Sequence, residues 1–116
     1  MWCAAVMLTA AMSFVSAAGA RTAKPEAPPG DPVRGKQVYA RSVPACSVCH
    51  KIGGSGGIFG PDLSAVGTRR DAAWLAKYLP NPRLWDAANK MPPVAAKGKD
   101  LDDLIAYLLS LKGKGK

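Results

Sequence analysis

Residues 46–50 read Cys-Ser-Val-Cys-His, and no other run in the chain limits its fold so sharply. They hold the single histidine and two of the three cysteines. An ordinary disulfide is the default reading for a cysteine pair in an exported protein, but it leaves His50 and the glycine-rich stretch behind it without purpose. A thioredoxin-like pair needs a βαβ context, and none is visible. A structural zinc site needs four ligands, yet beyond the leader there is no further Cys or His.

The spacing is instead that of covalent haem attachment. One helical turn sets two thiols, Cys46 and Cys49, beneath the two vinyl groups on one edge of the ring, where each forms a thioether. The adjacent imidazole of His50 then points at the iron. With His50 as one axial ligand, the other soft candidate is a methionine. Met1, Met7 and Met12 lie in the leader, so Met91 remains, in Lys90-Met91-Pro92-Pro93, where two prolines stiffen the loop.

The leader is residues 1–20. Trp2 to Ala18 carries no charge, and Ala18-Gly19-Ala20 has the small-x-small form of a signal-peptidase site, with Arg21 beyond it. Cleavage there predicts a periplasmic protein. No basic residue opens the segment, so an uncleaved anchor on the outer face of the inner membrane is the alternative. Cys3 is incidental to it. Residues 21–30 are a Pro-rich linker, residues 31–112 the folded domain, and residues 113–116 part of a solvated basic tail.

Within the domain, Asp31-Pro32 caps a short helix reaching Tyr39 or Arg41, with Val33 and Val38 among its apolar contacts. Cys46 to Lys51 forms a helical turn. Ile52 to Gly60 has five glycines in nine residues and reads as a loop. A second helix runs from about Asp71 to Leu79, and Pro80-Asn81-Pro82 ends it. In the last helix Leu101, Leu104, Ile105, Leu108 and Leu111 make one apolar face. Asp100 caps that helix, Asp102 and Asp103 favour its first turn, and Gly113 stops it. The class is all-α: three or four short helices with long connections. A chain of 116 residues with ten prolines and twelve glycines makes a thin core, and such domains need a staple. A bound macrocycle supplies the missing apolar bulk.

Sixteen Lys and Arg against eight Asp and Glu give a net charge of +8, which suits partners with acidic docking surfaces. No basic helix interleaved with aromatics points to nucleic acid. Membrane contact is expected only if the leader is retained.

From Asp31 to Lys112 the chain resembles a class I cytochrome c of compact bacterial type. Gly35-x-x-x-Tyr39 is similar to the family's first-helix element, and Asp103-Leu104-Ile105-Ala106-Tyr107-Leu108 to its last helix. The resemblance implies that Gly35 lets these helices cross closely. Gly60-Pro61-Asp62-Leu63 resembles the family's Gly-Pro-x-Leu, which implies that the Pro61 carbonyl accepts the His50 Nδ1 proton. Tyr78-Leu79-Pro80-Asn81-Pro82 resembles a run whose tyrosine lies near the methionine sulfur, with simple core packing as the alternative for Tyr78. Arg69 and Arg70 stand where the family often places propionate partners, with solvated surface charge as the alternative. Trp74 and Trp85 are open between packing on the haem and packing on the second helix. The implied cofactor is one covalent haem c, and the implied function is one-electron transfer by a protein that is monomeric when free and not an enzyme. Two alternatives stand beside it: a dedicated haem subunit of a dehydrogenase or oxidase complex, and a redox or gas sensor in which Met91 swings away.

Overall fold

Helices α1 (Pro32–Arg41) and α3 (Lys99–Ser110) cross as the central pair of the fold in a computed structural model that describes residues 29–113. The leader, most of the linker and the last three residues of the tail lie outside the described residues. Asp31 starts α1: its carboxylate accepts the amides of Val33 at 2.8 Å and Arg34 at 3.4 Å, and Pro32 follows at a position that needs no donor. Gly35, Val38 and Tyr39, spaced three and four residues apart, form the buried face. Val33 does not share it. Two residues before Gly35, and so roughly 200° around the helix, it is 71% exposed.

Gly35 permits the crossing. A Cβ there would overlap the Asp103 carbonyl and come within 2.7 Å of Tyr107 Cβ. Tyr39 and Tyr107 meet edge to face beside it, with ring centroids 5.6 Å apart. The core is Val38, Tyr39, Val66, Leu75, Leu79, Leu104, Ile105 and Leu108, drawn from all three helices and one connecting turn.

Three expectations about α3 need correction. Asp100 is not its cap: the chain turns at Gly98, whose φ of +55° suits glycine, and the Asp100 carboxylate pairs with Arg41 at 3.1 Å. Gly113 does not follow the last turn directly; the helix ends at Ser110, and the Gly113 amide donates to the Ser64 carbonyl at 2.8 Å. Asp103 is not a first-turn charge: the first turn holds Asp100 and Asp102, and Asp103 lies beyond it, 2% exposed. It accepts from the Asp31 amide at 2.7 Å and Arg34 Nε at 3.1 Å, with Lys99 Nζ at 3.5 Å. A buried carboxylate survives by such pairing.

The Asp31 amide, with help from Arg34 and Lys99, holds the Asp103 carboxyl below the usual carboxylate range. The folded chain thus keeps this charge to lower pH than the unfolded chain, whose carboxyl titrates near about pH 4. The resulting stability is complete above that value and lost as pH falls through the folded-state value. Asp103→Asn should melt lower than the parent at neutral pH and lose less of its melting temperature on acidification. Parallel melting curves across the acid range would count against this clamp. Asp62, lowered by bonding to Ser64, leaves some acid sensitivity in both proteins.

Helix α2 (Ala72–Tyr78) is capped by the Asp71 carboxylate, which accepts the Trp74 amide at 2.8 Å. Single 3-10 turns lie at Cys46–Val48, Val66–Thr68 and Pro82–Leu84. The glycine-rich stretch is not wholly irregular. Strands β1 (Lys51–Ile52) and β2 (Ser55–Gly56) pair antiparallel, Lys51 opposite Gly56 and Ile52 opposite Ser55. Gly53 and Gly54, at φ +57° and +85°, make the two-residue turn between them. Two residues per strand are too few to give a period-two signal. The described residues include no helix long and apolar enough to cross a membrane.

Candidate functional site

The Cys46–Val48 turn carries the first sulfur inside it and the second directly after it. Cys49 and His50 both donate their amides to the Cys46 carbonyl, at 3.2 and 3.0 Å. This folds Cys46, Cys49 and His50 into one turn. Both cysteines are half-buried and not joined to each other, and burial raises the Cys46 thiol above its ordinary range.

His50 is fixed from two sides. Its ring is buried, with Nδ1 2.9 Å from the Pro61 carbonyl. A carbonyl only accepts, so Nδ1 carries the proton and donates it. Nε2 is left with its lone pair. Gly60 lies against the ring: a Cβ there would come within 2.5 Å of Cε1 and 2.7 Å of Nδ1. The Gly60 amide donates to the Cys49 carbonyl at 2.7 Å, which ties the Gly60-Pro61 segment to the cysteine turn. The backbone thus places both the ring and its acceptor.

Met91 enters from the connection between α2 and α3. The Val94 amide donates to the Leu79 carbonyl at 2.9 Å, pinning that connection to the end of α2. Met91 is half-buried against the core, as are Cys46, Ile52, Leu63, Tyr78 and Val94. Half-buried apolar side chains, two sulfurs on one turn and an oriented imidazole are the groups that a flat apolar macrocycle bound through thioethers and iron would need.

The other candidates take definite places. Tyr78 stacks on Trp74 with centroids 4.3 Å apart, and its hydroxyl accepts from Asn89 Nδ2 at 2.7 Å. Trp85 lies 5.8 Å from Trp74, ring centre to ring centre. Arg70 lies over the Trp74 ring at 4.1 Å, a cation–π contact. Arg69 donates to the Asp62 carbonyl at 2.7 Å. The Tyr39 hydroxyl is buried among the described residues with no hydrogen-bond partner, and burial pushes its pKa up to about 12. Asn89 is absent from the sequence reading. Its one local signal is a side chain short enough to bond the amide two residues on.

A family model described as Cytochrome c matches residues 32–112. The crystal structure of the c-type cytochrome SorU from Sinorhizobium meliloti superposes with a TM-score of 0.56 at 22% identity, covering 72% of this chain and 92% of that one. That of SoxXA from P. pantotrophus superposes with a TM-score of 0.62, also at 22% identity, covering 72% of this chain and 83% of that one. At such identity the likeness is one of fold.

Proposed function

The chain belongs to the cytochrome c family, and we propose that it is an exported, diffusible one-electron carrier whose haem iron is held axially by His50 and Met91. Haem-based electron transfer and a covalent haem c come with the family; Cys46 and Cys49 fit its attachment pattern. The ligand pair, the carrier role and the location outside the cytoplasm are the finer reading. One observation carries it: His50, next to the second cysteine, has one ring nitrogen engaged by Pro61 and the other left to bond.

The bound haem supplies a reversible one-electron change at iron. Everything else falls to the chain. Cys46 and Cys49 hold the ring edge through two thioethers, so the cofactor is not lost outside the cell. Pro61 fixes the His50 ring and raises its basicity through Nδ1. Met91, a neutral soft ligand, favours the ferrous state and raises the reduction potential. With His50 and Met91 both holding the haem iron, the group would offer no place to a substrate, and the protein would carry electrons without transforming anything. The positive charge, with Lys51 half-buried beside the site and Lys90 exposed before Met91, suits brief, salt-sensitive docking on acidic partners.

Intact mass of native protein is the first test. It should equal a chain trimmed near residue 20 plus one haem, and a redox titration should fit a single electron. A mass without haem would end the reading. A second reading is favoured by Ile58 and Phe59, 81% and 88% exposed beside the cysteine turn. Apolar pairs that open also suit a permanent seat in a larger oxidoreductase. Gel filtration of native extract separates the two: elution as a small monomer supports the carrier, and a stable large complex supports the subunit.

A further inference from the structure

Between Arg83 and Lys90 every residue is exposed except Asn89. A polar side chain turned inward needs partners, and this one has two. Its Oδ1 accepts the Met91 amide at 2.9 Å, and its Nδ2 donates to the Tyr78 hydroxyl at 2.7 Å. Only one orientation of the amide group works. A backbone N–H can only donate, so the oxygen faces Met91 and the nitrogen faces Tyr78. The Tyr78 oxygen is therefore an acceptor in this pair, and its own hydrogen is left for another acceptor.

Tyr78 is a firm anchor. It closes α2, stacks on Trp74, and Trp74 is covered in turn by Arg70. The Val94 amide bonds to the neighbouring residue, Leu79. Met91 thus sits between two ties to the same end of α2, Asn89 to Tyr78 before it and Val94 to Leu79 after it. Prolines 92 and 93 stiffen the chain on the later side only. On the earlier side, Asp86 to Ala88 are exposed, and Asn89 is the tie nearest the methionine.

We propose that Asn89 is a positioning residue for Met91, a role that rests on the reading of Met91 as an axial ligand. Oδ1 holds the Met91 backbone in register. Nδ2 ties that register to the Tyr78 oxygen at the end of α2. Both bonds favour the Met-bound state over any state in which an outside ligand has displaced the methionine.

The test uses ferric holoprotein titrated with imidazole, read by the far-red charge-transfer band of Met-ligated ferric haem. Loss of the two neutral hydrogen bonds should let Asn89→Ala bind imidazole about five- to tenfold more tightly. Its reduction potential should move in the same direction as that of Tyr78→Phe. Asn89→Asp keeps the acceptor for the Met91 amide and loses the donor to Tyr78, so its imidazole affinity should fall between parent and Asn89→Ala. In a Tyr78→Phe background, Asn89→Ala should tighten imidazole binding by a smaller factor than in the parent. A parent protein without the far-red band overturns the Met91 reading and this role with it. A parent with the band, whose Asn89 variants match it in imidazole affinity and potential, overturns the role of Asn89 alone. Should Asn89→Ala fail to load haem, Asn89→Asp against the parent decides by the same two readouts.

Discussion

Reduced Met91→Ala protein is expected to bind one carbon monoxide per haem, whereas the parent binds none. The expectation follows from ligand counting. If His50 and Met91 both hold the iron, as proposed, carbon monoxide would find no open position, and alanine has no donor atom to take the place of sulfur. The loop has little to offer instead. Its neighbours are Pro92 and Pro93, which lack even an amide hydrogen, and Lys90, which is exposed. The same change removes the ligand that favours ferrous iron. Axial-ligand identity moves haem potentials over a span of about 0.8 V, so the potential should fall by more than about 0.1 V. The far-red band should vanish from the ferric spectrum. Met91 is half-buried on the core, so some stability is lost as well. That loss is of order 1–2 kcal/mol, too small to unfold a domain that haem also stabilises. Variant protein that carries covalent haem, yet keeps the parent's spectra and refuses carbon monoxide, would remove Met91 from the iron.

The elements that were legible in the sequence are those specified by their own neighbours. α3 announces itself through leucines at three- and four-residue spacing, and Asp31 and Asp71 cap α1 and α2 by bonds that span two or three residues. The cysteine turn is legible for the same reason, since its geometry follows from four consecutive peptide units. The misreadings share a different cause. Asp103 has the local credentials of a helix-start charge, but its environment is set by Asp31, 72 residues earlier, and Arg34, 69 residues earlier. Val33 is apolar and lies in the first turn of α1, yet the crossing turns it outward. Asn89 is hidden in the same way: its bond to Met91 is local, but its bond to Tyr78 exists only because the loop folds back onto α2. Propensity and spacing fix what a segment becomes, and tertiary crossing fixes which of its faces is wet. The site divides likewise, with His50 and its cysteines readable from spacing, and the Asn89 tie visible only once α2 and the loop are in place.

That division gives opposite forecasts for Gly35→Ala. Considered as helix alone, the substitution should stabilise. Glycine in a helix interior is worse than alanine by about 1 kcal/mol, through chain entropy lost on folding. Considered at the crossing, it should destabilise. The new Cβ would overlap the Asp103 backbone carbonyl and crowd Tyr107 Cβ. The first obstacle is backbone inside a helix and cannot swing aside like a side-chain tip, so relief requires α1 and α3 to separate. Separation loosens the Tyr39–Tyr107 contact and stretches the bonds of Arg34 and the Asp31 amide to Asp103. Overpacking of this kind costs about 1–3 kcal/mol even where neighbours are soft, and here the partly broken Asp103 clamp adds to it. The steric term therefore wins, for a net loss of about 2 kcal/mol. For a domain of this size, that is a fall in melting temperature of roughly 8–16 °C. Gly35→Val should exceed it, since the β-branched side chain adds two methyl groups at the tightest point. The same helix offers a control in Lys36→Ala, an exposed position where propensity acts alone and the melting temperature should hardly move. A Gly35→Ala protein that melts at or above the parent would mean that the two helices do not pack as closely as this.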